Sequence, residues 1–219
     1  MTRTLVLLPG LGADSRLFDS QRAVVSELQV PSWPEPEPGQ TLPAFAARLA
    51  DSVPRSEQLF LGGSSFGGMV ALELAALLKP QGVFLIGSCT TPSSIAPFAR
   101  RLHPLVSALP VDAFRLRRWE MPIVLSAFGR LTSHQRELFW SMASVARPSF
   151  VKWGLGAILS WNPTPAGVPV YHVHGSGDRL IPLRLVRPQR VVPGAGHLLT
   201  LTHPQYVNEF LLQVLAEAA

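Results

Sequence analysis

The sharpest chemical signal in the chain is Gly63-Ser64-Ser65-Phe66-Gly67, a G-x-S-x-G pattern set between the apolar run Gln58-Leu-Phe-Leu-Gly62 and the apolar stretch Met69 to Leu78. A serine at such a strand-to-helix turn sits in a strained backbone with its hydroxyl exposed. Its neighbours must be small, because a Cβ there would strike the helix or the strand. Gly62, Gly63, Gly67 and Gly68 meet that demand, whereas Ser64 fails the spacing because Phe66 lies two places on. A hydroxyl is a poor nucleophile at neutral pH, so Ser65 needs a base to take its proton and a third group to hold that base in the right tautomer. Both are expected downstream. Val168-Pro-Val-Tyr-His-Val-His174 leads into Gly175-Ser-Gly-Asp178, a carboxylate in a loop at a strand's C-terminal end, where α/β sheets gather their sites. Val191-Val-Pro-Gly-Ala-Gly196-His197 puts an imidazole just after another short strand. The set points to acyl transfer, with Ser65 as nucleophile, His197 as general base and Asp178 as the acid that orients it.

Other residues invite rival readings. His172 and His174 alternate along one strand and face one side, as a metal pair would, but no carboxylate or third ligand stands at useful spacing. Packed, hydrogen-bonded histidines are the simpler reading. His203, six residues beyond His197, is the alternative base; His103 and His134 read as solvated or structural. Asp14 and Asp19 suit helix capping or the surface better than catalysis. Cys89, the single cysteine, reads as buried filler and excludes an internal disulfide framework.

These residues need a scaffold, and the chain describes one. The runs Thr4 to Pro9, Gln58 to Gly62, Gly82 to Gly87 and Val168 to His174 read as strands buried on both faces. Helical patterns over Leu17 to Leu28, Leu42 to Val53 and Met69 to Leu78 alternate with them, which predicts an α/β fold on a mostly parallel sheet. Leu28 to Pro38 holds a further short strand candidate, then Pro-Glu-Pro-Glu-Pro, which cannot be helical and reads as a surface loop. From about 92 to 167 the alternation stops. Pro104, Pro110, Pro122 and Pro148 divide this stretch into short helices, Thr132-x-x-Gln135 resembles a capping box, and Trp119, Trp140, Trp153 and Trp161 offer large apolar faces. Either a lid over a pocket or ordinary core would look like this. Pro204 to Ala218 is expected to close the chain as a helix.

With 219 residues, 47% hydrophobic and 15% charged, the chain can bury one substantial core and is short for two domains. One domain is expected over 1–219, with a core of 1–91 and 168–219 and a helical cap over about 92–167. No run approaches a membrane span, and Leu5 to Leu8 is too short for a signal peptide, so the cytoplasm is the expected location. The net charge of +5 is almost wholly guanidinium. It concentrates between Pro97 and Ala166, where Arg100, Arg101, Arg115, Arg117, Arg118, Arg130, Arg136, Arg147 and Lys152 face only Asp112, Glu120 and Glu137. A solvated arginine-rich surface is one reading and a landing site for an acidic partner the other. Nucleic acid is not expected, because no nucleic-acid motif accompanies the charge.

Three separated motifs in the order Ser, Asp, His, each in its strand context, make the chain resemble the α/β-hydrolase family from end to end. The resemblance implies a serine hydrolase with Ser65, Asp178 and His197 as its triad and a helical cap before the strand that carries the acid. It also implies an oxyanion hole. The family's first loop usually reads His-Gly-x; here Pro9-Gly10-Leu11-Gly12 makes the Leu11 amide the first donor and the Phe66 amide the second. Pro9 in place of histidine bears on the loop's geometry. The implied activity is carboxylesterase-like, on a small-molecule ester, without metal or organic cofactor. The basic cap adds the alternative of a substrate carried by acyl carrier protein or coenzyme A, as in the broadly similar pimeloyl-carrier-protein methyl ester esterases. A non-catalytic ligand-binding homologue of the same fold is the reading of another class.

Overall fold

The computed structural model describes residues 3–101, 103–117, 120 and 128–218. Arg118, Trp119 and Pro122, which the sequence places in the helical stretch, lie outside the described residues. Among the described residues six strands make one sheet: β1 (Arg3–Leu8), β2 (Leu28–Gln29), β3 (Gln58–Ser64), β4 (Gly82–Ile86), β5 (Val170–Gly175) and β6 (Arg190–Val192), in the order β2-β1-β3-β4-β5-β6. Every pairing is parallel, and β1 and β3 run in register from Arg3 opposite Gln58 to Leu8 opposite Gly63. Parallel strands need crossovers, and these cover both faces with helices, so the strands are apolar on both sides. β1 shows the alternation: Val6 and Leu8 join the core on one face, Leu5 and Leu7 the core on the other. Each such fully buried side chain contributes about 1.5–3 kcal/mol before chain entropy is set against it.

On the first face lie α2 (Leu42–Ala50) and α3 (Phe66–Leu78). Residues 66–75 of α3 are all buried, and the helix stops where Lys79 takes a left-handed conformation ahead of Pro80, which cannot continue it. On the second face lie α1 (Asp19–Arg22) and the closing helix, whose buried Val207, Phe210, Leu211, Val214 and Leu215 recur at helical spacing.

The helix expected over Leu17 to Leu28 is cut short. Asp14 caps a 3-10 turn over Ser15–Phe18, α1 follows for four residues, and the chain then turns at the β-branched Val24-Val25 to lay Leu28 beside Leu5. Between β4 and β5 the chain forms α4 (Pro97–Arg100), α5 (His103–Ala108), α6 (Ser133–Ala143) and α7 (Pro148–Leu159). α6 begins with the reciprocal capping box of Thr132 and Gln135, as its sequence implies. After β6 come α8 (Leu199–Thr202) and α9 (Pro204–Glu217). No helix among the described residues is long and apolar enough to cross a membrane.

Candidate active site

The crossover leaving β1 runs to β2 on one side of the sheet, and the next returns past β1 to β3. The strand order therefore reverses between β1 and β3, where open α/β sheets form a crevice at their C-terminal ends. Ser65 stands at that point, between the last residue of β3 and the first of α3. Its φ of 51° and ψ of −117° are rare for a residue with a Cβ. The turn is held by its own amide, which donates to the Ile86 carbonyl at 3.0 Å, and by the Ser88 hydroxyl, which donates to the Ser65 carbonyl at 2.6 Å. It also depends on glycine. A Cβ at Gly63 would come within 2.6 Å of the Leu8 carbonyl oxygen, and one at Gly67 would run into the backbone of Leu8 and Pro9.

The three side chains singled out by the sequence meet here from three strand ends. His197 Nε2 lies 2.8 Å from Ser65 Oγ, and His197 Nδ1 lies 2.7 Å from Asp178 Oδ2. Asp178 is buried, and its second oxygen accepts from the amides of Leu180 at 2.9 Å and Ile181 at 2.8 Å. Burial alone would push its carboxyl up. The charge of His197, the hydrogen bond from that ring and the Ile181 amide outweigh burial and hold it below the usual carboxylate range. A carboxylate that stays ionised keeps the Nδ1 proton on the imidazole and leaves Nε2 free to accept the proton of Ser65. Such a chain can activate a hydroxyl for attack on a carbonyl.

Leu11 and Phe66 flank this centre. A Cβ at Gly10 would lie 3.8 Å from Ser65 Cβ, so the loop after β1 runs beside the serine. Phe66 is the first residue of α3, and its amide is one of the four at a helix start with no acceptor within the helix. A cleft of about 210 Å³ opens beside the same loop, walled by Pro9, Gly12, Trp33, Met142, Val145 and Phe150; Ser65 and His197 are not among its walls.

The rival residues are placed elsewhere. His203 Nδ1 turns to the hydroxyl of its neighbour Thr202 at 2.9 Å, and His134 is exposed. His172 and His174 are buried and bonded to each other at 3.1 Å, while His174 Nε2 donates to the Ile181 carbonyl at 2.8 Å. Burial, then the neighbouring His174, pushes His172 down to about 3, so it is neutral at pH 7. Asp14 bonds Arg16 and caps its turn, and Asp19 pairs with Arg22 at 3.1 Å. Cys89 is buried, and burial pushes its thiol up to about 12. Among the described residues, no group of three or more His, Cys, Asp or Glu could hold a metal ion.

Sequence reasoning missed two supports of the site and the place of a third. Ser88 follows β4, and its place after a strand's C-terminal end could have flagged it. Phe128 lies 5.6 Å from the His197 ring and has no sequence signal. His174, which the sequence offers as a packed, hydrogen-bonded histidine, is that, and it stands 3.5 Å behind Asp178 Oδ2.

Comparison with known proteins gives a family model, described as the alpha/beta hydrolase family, that matches residues 5–210. A curated relative from Synechocystis sp., named "Putative non-heme chloroperoxidase", is 25% identical over 168 residues. The match takes in 68% of this chain and 59% of that protein, so the chain spans about three fifths of the relative's length. Among solved structures, a thermophilic esterase from Thermogutta terrifontis superposes with a TM-score of 0.74 at 20% identity, over 100% of this chain and 91% of its own. The enol-lactonase from Burkholderia xenovorans LB400 does so with a TM-score of 0.74 at 16% identity, over 99% and 92%. At these identities the likeness establishes the fold.

Proposed function

We propose, from the premise that the chain belongs to the alpha/beta hydrolase family, that it cleaves a carboxylic ester through an acyl-enzyme on Ser65. The observation that carries this reading is the unbroken hydrogen-bonded chain from Asp178 through His197 to Ser65 Oγ on a strained turn. In the first half-reaction Ser65 Oγ attacks the ester carbonyl, its proton passes to His197 Nε2, and the carbonyl oxygen gains a negative charge beside the Leu11 and Phe66 amides. The carbon–oxygen bond to the alcohol then breaks, and the alcohol leaves with the proton from His197. In the second half-reaction water gives a proton to the same nitrogen, attacks the acyl carbon and releases the acid, restoring Ser65. No step calls on a metal or organic cofactor. The cleft beside the oxyanion loop, mostly apolar but with Asp14 and Arg147 in its lining, suits a small hydrophobic group on the substrate, with the helices between β4 and β5 as the cap over it. A cytoplasmic setting goes with the single free cysteine.

The test is turnover of p-nitrophenyl esters from acetate to palmitate by wild type and Ser65→Ala, both shown to be folded. The expected loss is about 10⁴-fold or more in kcat; turnover by Ser65→Ala near the wild-type rate would overturn the assignment. A fluorophosphonate that labels wild type and not Ser65→Ala separates an enzyme from a non-catalytic ligand-binding homologue.

A carrier-bound acyl substrate is the second reading, favoured by the exposed Arg100, Arg101, Arg115 and Arg117, near exposed Phe98 and Leu105 in sequence. It requires binding to acyl carrier protein that weakens with salt and with Arg115→Glu/Arg117→Glu. Binding indifferent to both would exclude it.

A further inference from the structure

Leu11 and Phe66, the two residues assigned above to the oxyanion hole, both pack against one helix of the insertion, α7. Leu11 fills a notch on α7 at Gly154: a Cβ placed there would collide with Leu11 Cδ1 and lie 3.3 Å from Cδ2. The Phe66 ring meets Phe150 and Trp153 of the same helix edge-on, each at 6.0 Å between centroids. Leu11 stands between Gly10 and Gly12. Glycine restricts a backbone least, so the Leu11 side chain adds an anchor to a turn otherwise closed by the Ala13 amide donating to the Gly10 carbonyl at 3.0 Å.

α7 is itself braced by the proline-rich loop. Arg147, at its N-terminus, holds Glu35 Oε2 through Nε at 2.8 Å and donates to the Trp33 carbonyl at 3.0 Å. The Ser149 hydroxyl donates to Glu35 Oε1 at 2.6 Å, and Trp153 Nε1 donates to the Gln40 carbonyl at 2.7 Å. Pro34, Pro36 and Pro38 fix φ at three places, which makes this loop stiff without regular structure. Trp33, Arg147 and Phe150, which this loop and α7 bring into contact, all line the cleft.

We propose that α7, seated on Leu11 at Gly154 and on Phe66 through Phe150 and Trp153, sets the spacing of the two oxyanion amides, with Gly154 as the positioning residue. This rests on the ester-cleavage reading above. An added methyl at Gly154 must displace the end of the Leu11 side chain; in the proposal that displacement carries to the loop that presents the first amide. Loss of a whole oxyanion donor costs about 10²–10³ in kcat; a donor misaligned rather than lost is expected to cost about tenfold to a hundredfold.

The experiment compares wild type, Gly154→Ala, Leu11→Ala, the double variant and Ser65→Ala on p-nitrophenyl butyrate, with thermal melts alongside. Gly154→Ala is expected to lower kcat about tenfold or more with KM changed less than about threefold, and to slow fluorophosphonate labelling in proportion. The double variant, with the collision removed, is expected to be faster than Gly154→Ala and to approach the rate of Leu11→Ala. Leu11→Ala, which frees the notch without crowding it, is expected to fold and to lose several-fold in kcat. A folded Gly154→Ala with wild-type kcat overturns the proposal, as does a double variant no faster than the single one. Should Gly154→Ala not fold, Leu11→Ala decides: wild-type kcat in that variant overturns it. Wild-type turnover by Ser65→Ala would instead remove the ester-cleavage reading itself.

Discussion

Asp178 keeps its charge in a dry place because three donors stand in for water: two amides on one oxygen and an imidazole on the other. The buried His172, bonded to the His174 that stands behind Asp178, has the opposite problem, since taking up a proton there would strand a cation. Its folded value of about 3 lies far below the ordinary 6.5. Between those values the unfolded chain binds a proton that the native protein does not, so stability falls as pH drops from about 6.5 toward about 3, by on the order of 5 kcal/mol in full. Asp178 acts in the same sense at still lower pH, because the stability its depressed value confers disappears as the folded carboxylate is protonated. Melting temperatures taken from pH 7 to pH 3.5 should therefore decline, and His172→Gln should flatten the upper part of that decline. An unchanged slope in the variant would show that His172 is not its source. Ser65, Asp178 and His197 are legible as one site in the sequence because each follows an apolar strand, and parallel strands bring their C-terminal ends together. Gly154 is not. Its partner, Leu11, is distant in the chain and meets it through packing that leaves no spacing to read, while Ser88 offers only its place after β4.

At the scale of elements, the insertion is joined to the sheet by packing and by a few buried polar contacts. The chief of these is Glu73, in the middle of α3 and 2% exposed. Its Oε1 accepts from the Trp161 indole at 2.7 Å and from the Thr164 amide at 3.0 Å, tying the exit of α7 to the helix that begins at Ser65. Removing the carboxylate would leave two donors without their acceptor and a hole in the first core. Glu73→Ala should cost about 3 kcal/mol or more in urea unfolding, and Glu73→Gln, which keeps an acceptor, clearly less. Equal losses in the two variants would show that packing rather than hydrogen bonding holds the joint. Most element types are legible because buried strands and amphipathic helices have different periods: β1, β3, β4, α2 and α9 fall within a few residues of their sequence patterns. The stretch Leu17 to Leu28 is misread because its apolar residues serve a 3-10 turn, a bend and a strand in succession, and mixed periods sum to something resembling a helix. The proline-rich loop reads as a surface connection because its partners, Arg147, Ser149 and Trp153, are more than a hundred residues away in the chain.

For the whole molecule, the α/β alternation fixes a parallel sheet, while the arrangement of the insertion is not deducible from a pattern broken by prolines. That sheet is assembled from distant pieces: Val83 of β4 lies beside Val170 of β5 only after the entire insertion has been crossed. Pairings of this kind form late and make folding slow. Just beyond β4 lies Cys89, fully buried, with its thiol pushed up to about 12. The protein thus carries a single native clock for breathing of its core. At pH 8 a disulfide reagent reacts with thiolate that has reached solvent, so modification should await an opening of the β4 end and then proceed at the rate of that opening. With Ser65 phosphonylated, the loops around the reacting centre share a covalently bound ligand, and the clock should run several-fold slower. An unchanged rate would mean that the β4 end opens independently of the centre beside it, and that this protein breathes in separate parts.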